Sequence, residues 1–153
     1  MTSTIHEHGG VIEKYMGDAI TALWGVDGNK NHAQNACESA LICLRRVHAL
    51  SSNWSKSIPK VEVNVRIGIN TGHVAIGNFG SEERLGYMVI GDHVNLASRL
   101  QGANKHFGTH ILISQMTQEL LDDSFLTREV DTVMIKGKIE SIKLYTLESI
   151  KIR

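Results

Sequence analysis

The sequence predicts an α+β sandwich, with helices packed on a mainly antiparallel sheet. Three observations carry this. A 3.6-residue apolar stripe runs through Ala33, Ala36, Cys37, Ala40, Leu41, Leu44, Val47 and Leu50. A two-residue alternation sets Val61, Val63, Val65, Ile67 and Ile69 against Glu62, Asn64, Arg66 and Gly68. Helix-like and strand-like segments are interleaved rather than grouped. The chain has 153 residues, one domain's worth, and shows no repeat or Pro/Ser-rich linker.

In chain order, Val11–Tyr15 and Ala19–Trp24 flank a Gly17-Asp18 turn and predict a β-hairpin. Gly25 to Lys30 is a loop. Asn31 is a candidate N-cap for the helix that carries the apolar stripe. The alternating segment predicts a strand over Val61–Ile69, turned at Thr71-Gly72 into a second strand over His73–Phe79. Asn78 to Gly86 is polar and mobile in composition, and Tyr87–Ile90 is a short apolar run stopped by Gly91. A second helix spans Asp92–Lys105, with Val94, Ala97 and Leu100 on one face. Ile111–Ile113 is a strand, and Ser114 caps a short helix from Gln115 to about Leu121. Glu129–Ile135 and Lys143–Leu147 close the sheet around Lys136-Gly137-Lys138.

Lys plus Arg total 16 and Asp plus Glu total 16, which excludes a basic nucleic-acid glove or an acidic tail. The cations are scattered without aromatic interleaving, so nucleic acid is not an expected partner. Only 5% of residues are aromatic, so the core is expected to be aliphatic. No apolar run reaches the ~18 residues of a membrane span, and MTSTIHEHGG lacks the layout of a secretory signal. Cys37 and Cys43 lie six apart on one helix, too divergent for a local disulfide. Buried, reduced thiols and a cytoplasmic setting follow. The 8 histidines have no cysteine partners at zinc spacing. No Walker A loop, nucleophile elbow or GxGxxG occurs.

Two segments are more polar than packing requires. In Lys14-Tyr15-Met16-Gly17-Asp18 a carboxylate sits at a hairpin tip, where it either binds Mg²⁺ together with substrate phosphates or bonds its own turn backbone. In Gly91-Asp92-His93-Val94-Asn95-Leu96-Ala97-Ser98-Arg99 a helix opens after glycine, presenting free N–H groups to an anion. Asn95 and Arg99 are i and i+4 and share a face. That face is either a phosphate site or merely solvated. Lys136 and Lys138 are a third candidate phosphate contact or a charged turn.

The stretches HGGVIEKYMGDAITALWG, RIGINTGHVAIGNFGSEERLGYMVIGDHVNLASRL and IKGKIESIKLYTLES together resemble the catalytic domain of class III nucleotide cyclases, the adenylate/guanylate cyclase family. The resemblance implies a ferredoxin-like sandwich working as a head-to-tail dimer, with sites in the cleft between subunits. It implies conversion of a nucleoside triphosphate to a 3′,5′-cyclic nucleotide and pyrophosphate, in cyclic-nucleotide signalling, with two Mg²⁺ or Mn²⁺ ions. By the same resemblance Asp18 is one of two metal-binding aspartates and Lys14 reads the purine. Asn95 orients the ribose, Arg99 stabilises the transition state, and Lys136 contacts the terminal phosphates.

Two departures qualify it. Met88 stands where the family usually places a Thr or Asp that accepts from the adenine amino group, and a thioether is a poor acceptor. Lys14 still favours ATP over GTP. The family's opening strand, carrying Phe-x-Asp-Ile and the second metal aspartate, and most of its first two helices have no match here. The expectation is a single, N-terminally incomplete domain with an exposed apolar edge beside Val63–Ile69 and Val11–Lys14. It would be an ATP-converting cyclase, as a homodimer or paired with a complete cyclase chain. The alternative is a catalytically incomplete dimerisation or regulatory partner.

Overall fold

The computed structural model describes residues 1–58, 63–81, 84–134 and 141–151. Helix α1 (Thr2–Glu7) leads into a hairpin of β1 (Val11–Met16) and β2 (Ala19–Leu23), closed by Gly17 and Asp18. Gly17 has φ +61°, the left-handed conformation such a tight turn favours. α1 answers to the end of the family's second helix, with which the resemblance has this chain open; its six residues are too few for a helical period to show by themselves. It is tied down from outside: Arg46 donates to Thr4 Oγ1, and Trp24 Nε1 donates to the His8 carbonyl at 3.0 Å.

Helix α2 (His32–Ser57) buries Ala33, Ala36, Cys37, Ala40, Leu41 and Cys43. The stripe outruns its partner, and Leu50 and Trp54 stand half-exposed near the C-terminal end. Asn31 is the N-cap residue, but its side chain makes no capping bond. Its own N–H is instead held by Asn29 Oδ1, as Asn29 N–H is held by Asp27 Oδ1, so the loop is built from successive Asx turns. Both cysteines are buried and free. Burial pushes the Cys37 thiol up to about 12.

The main sheet has four strands in the order β3 (Ile67–Ile69), β6 (Ile111–Ser114), β8 (Ser141–Ile150), β7 (Phe125–Met134). β3 and β6 are parallel and the other pairs antiparallel. β6 is buried on both faces: Ile111 and Ile113 pack with Cys37, Ala40 and Leu41 of α2, and Leu112 packs with Leu96 and Leu100 of α3 (Asp92–Phe107). The sheet is therefore the middle layer between α2 and α3. Ser114 caps α4 (Gln115–Gln118), its Oγ accepting from the Thr117 N–H, so this helix is shorter than expected. The closing strands are longer than expected: β7 begins at Phe125 rather than Glu129, and β8 extends beyond Lys143–Leu147 at both ends.

Three expectations need correction. The strand expected over 61–69 is confined to Ile67–Ile69. β6 begins only at Ile111, so among the described residues the chain just before Ile67 pairs with no strand, and Val63 N–H goes to Ser51 Oγ instead; residues 61 and 62 lie outside the described residues. Thr71-Gly72 does not turn a hairpin, because β3 belongs to the main sheet while β4 (Ala75–Ser81) pairs with β5 (Arg84–Ile90). The polar stretch Asn78–Gly86 belongs mostly to that arm, paired from Ala75↔Ile90 to Ser81↔Arg84. The run of Asn, Gly, Ser, Glu and Arg residues there hid the pairing in composition. β3 is an edge strand of the sheet, and Val11 on β1 is exposed.

Candidate active site

The hairpin presents the first two candidates. The ladder shifts register between Ile12 and Lys14, so Glu13 is the extra residue of a β-bulge. Its side chain is only 3% exposed, while that of Lys14 is 44% exposed. Glu13 Oε2 lies 3.6 Å from Lys14 Nζ and accepts no hydrogen bond among the described residues. Neither the bulge nor this buried carboxylate had a signal in the sequence. Asp18 stands at the hairpin tip, exposed, with no hydrogen bond or ion pair to another described residue.

Helix α3 presents the next two. Gly91 is its N-cap residue, and the only capping bond there is Val94 N–H to the Gly91 carbonyl. Asn95 and Arg99 are both exposed, on the flank of the helix about 100° round from buried Leu96 and Leu100. Neither side chain bonds another described residue. A carboxamide and a guanidinium, one turn apart and unpaired, can bind a sugar hydroxyl and a phosphate oxygen together.

The helix is firmly seated. A Cβ on Gly68 of β3 would come 2.2 Å from the Ala97 carbonyl oxygen and 2.3 Å from the Gln101 nitrogen. Only glycine lets the α3 backbone lie this close to the strand. Asn104, fully buried, completes the seat by donating from Nδ2 to the Ile67 carbonyl at 2.9 Å.

Met88 lies on β5, exposed, and β5 contacts β1, which brings the Met88 strand alongside the Lys14 strand. The expected phosphate contact Lys136 lies outside the described residues. A separate cavity of about 410 Å³ is lined by His48, Ser51, Ser52, Val63, Asn64 and His110, and includes none of the candidates.

Asp18 suits one oxygen position of a divalent ion. Among the described residues no three His, Cys, Asp or Glu groups converge as a metal site. These residues therefore do not by themselves complete a two-ion centre.

Residues 1–149 match the adenylate and guanylate cyclase catalytic domain. The chain belongs to this family. The cyclase domain is 37% identical over 155 residues to an adenylate cyclase of Anabaena cylindrica, covering 97% of this chain and 30% of that protein. It spans between 7% and 30% of the length of the curated adenylate cyclases it matches. It superposes on the adenylyl cyclase CyaB of P. aeruginosa with a TM-score of 0.83 at 29% identity, covering 97% of this chain and 76% of that one. A guanylyl cyclase structure gives a TM-score of 0.81, also at 29% identity, with 97% of this chain and 75% of that one covered. The α+β fold is thus that of class III cyclases. Among the described residues no helix of the cyclase domain is long and apolar enough to cross a membrane.

Proposed function

We propose that this domain takes part in forming 3′,5′-cyclic AMP and pyrophosphate from ATP, at a site completed by a second cyclase domain. The observation that carries the reading is the exposed, unpaired Asn95–Arg99 face of α3, on a helix fixed to the sheet through Gly68. In the reaction the ribose 3′-oxygen forms a bond to the α-phosphorus, and the bond to the leaving β-phosphate oxygen breaks. Negative charge builds on the phosphoryl oxygens and the leaving group. The Arg99 guanidinium meets that charge, while Asn95 holds the ribose so that the hydroxyl lies in line. Lys14 donates to the adenine ring, and Lys136 contacts the terminal phosphates. Mg²⁺ or Mn²⁺, when bound, supplies activation of the hydroxyl and charge neutralisation, and Asp18 would be one of its ligands.

ATP is favoured over GTP because an ammonium donates and cannot accept. It suits the unprotonated N1 of adenine and opposes the N1–H of guanine. Met88 adds no strong acceptor for the adenine amino group. A second reading is favoured because Asp18 is the one exposed carboxylate offered as a metal ligand among the described residues of the site: a catalytically incomplete partner that lends Asn95, Arg99 and Lys14 to a complete cyclase chain. Both readings keep the domain in a cyclase pair, as a homodimer or a mixed dimer.

The experiment mixes this chain with a complete cyclase whose own Asn and Arg have been removed, and measures cyclic nucleotide. By the family resemblance the metal aspartates of each site come from one subunit and the purine lysine and Asn/Arg pair from the other. Rescue is therefore expected, abolished by Arg99→Ala and largely kept by Asp18→Ala, whose carboxylate would face the other, inactive site of the pair. Absence of rescue despite a demonstrated mixed dimer defeats the assignment.

A further inference from the structure

Helix α3 begins against the loop that follows β3, and one side-chain amide joins them. Asn70 Nδ2 lies 2.9 Å from the His93 carbonyl oxygen and 3.1 Å from His93 Nδ1. An amide nitrogen carries two N–H donors and accepts nothing. Both contacts are therefore donations, and His93 Nδ1 must carry a lone pair. Turning the amide over would set Oδ1 against the carbonyl, acceptor against acceptor. The backbone oxygen thus fixes the amide, and the amide fixes the imidazole as the neutral form with its proton on Nε2.

Gly72 holds the ring from another side. A Cβ on Gly72 would come 2.2 Å from His93 Cγ and 2.3 Å from Nδ1, so the ring occupies the space a side chain would need. Asn70 Oδ1 is buried and accepts no hydrogen bond among the described residues, so His93 holds both hydrogen bonds of this amide. The sequence gives no hint of the contact, whose partners are 23 residues apart.

We propose that His93 is a positioning residue for the nucleotide site: locked by Asn70 and Gly72 as the Nδ1-acceptor tautomer, it fixes the first turn of α3 and hence the aim of Asn95. The proposal rests on the cyclase reading above. His93 stands two residues before Asn95 and six before Arg99. The Gly68 contact secures the middle of the helix, at Ala97, Leu100 and Gln101. The Asn70–His93 contact secures its start, where Asn95 projects. Asn95 holds the ribose hydroxyl in line for attack, so its aim sets the alignment of the reacting atoms rather than the strength of substrate binding. A loosened first turn therefore lowers kcat and leaves KM nearly unchanged.

Two measurements test it. The first is nitrogen-15 NMR of the histidines in the full chain, with the His93 signal identified by its loss in His93→Asn. The expected signature is unprotonated Nδ1 with protonated Nε2; protonated Nδ1 overturns the lock. The second is the mixed-dimer assay with His93→Leu, which keeps bulk without an acceptor, and His93→Asn, whose Oδ1 stands near the place of Nδ1. His93→Leu is expected to lower kcat about tenfold or more with KM nearly unchanged, and His93→Asn to restore most of the rate. An unchanged kcat in His93→Leu, or an equal loss in both variants, overturns the positioning role. If His93→Leu loses its cooperative melt, Asn70→Ala is read by the same kcat criterion. Rescue by an Arg99→Ala chain as strong as by the unaltered chain overturns the cyclase reading and the role of His93 with it, while the tautomer measurement still decides the lock separately.

Discussion

Glu13 and Lys14 are sequence neighbours that a β-bulge separates: the Glu13 carboxylate is buried, and the Lys14 ammonium stands 3.6 Å from its Oε2 with its stem partly in solvent. The bulge turns Glu13 inward and re-aims Lys14. The buried carboxylate then limits where the ammonium can swing, and a lysine held this way can present its donors in a defined direction.

Lys14→Gln is expected to reduce kcat/KM for ATP in the mixed dimer by about 10–150-fold, the worth of a hydrogen bond from a charged donor at about 1.5–3 kcal/mol. Lys14→Glu should also raise the ratio of GTP to ATP turnover, since a carboxylate accepts from guanine N1–H. The check is a paired measurement of cyclic AMP and cyclic GMP formation. An unchanged nucleotide preference in Lys14→Glu counts against a purine contact at this position.

The purified 153-residue chain is expected to form little or no cyclic AMP from ATP with Mn²⁺ or Mg²⁺. Asp18 is a single exposed carboxylate, and one such ligand does not hold two ions in the geometry the reaction needs. Robust turnover by the chain alone would contradict this.

Gly68→Ala is expected to destabilise the domain by about 2 kcal/mol or more, because the added carbon would meet backbone rather than a flexible side chain. Thermal and urea melts read the change directly. A variant as stable as the parent would mean that α3 is free to move off β3.

Cys37 gives an alkaline signature. Burial raises its folded thiol to about 12, from the 9.0 of a free thiol in water. Between those values the folded state keeps a proton that the unfolded state loses. The contribution is therefore fully present below about pH 9 and is lost as pH rises, at up to about 1.4 kcal/mol per unit. Denaturant melts from pH 8 to 11 should show this slope, and Cys37→Ala should flatten it. At pH 8 thiol reagents should label Cys37 only as fast as the domain opens.

Much of this arrangement was readable in advance, and the limits have physical causes. The hairpin at Gly17-Asp18, the helix over His32–Ser57 and the helix from Asp92 each declare themselves within a local window of period or turn chemistry. Ile111–Ile113 reads as a strand because a strand covered on both faces is apolar throughout. The parallel pairing of Ile67 with Ile111 joins distant segments and leaves no local trace. Asn78–Gly86, the distal part of the β4–β5 arm, reads as a loop because polar residues and glycines dominate it. At the site, the i, i+4 spacing of Asn95 and Arg99 was legible. The burial of Glu13 and the Asn70–His93 contact were not, since one depends on a bulge and the other on tertiary packing.

The seat of α3 on β3 also limits how such a site can be controlled. A helix whose backbone rests on a strand through a glycine cannot roll or slide without parting from the sheet. Asn95 and Arg99 therefore travel with the whole domain, like teeth cut into a gear rather than a lever hinged on its rim. In the proposed pair, a signal that tunes this half of the site acts by turning one domain against its partner, and the rate should follow the angle between them.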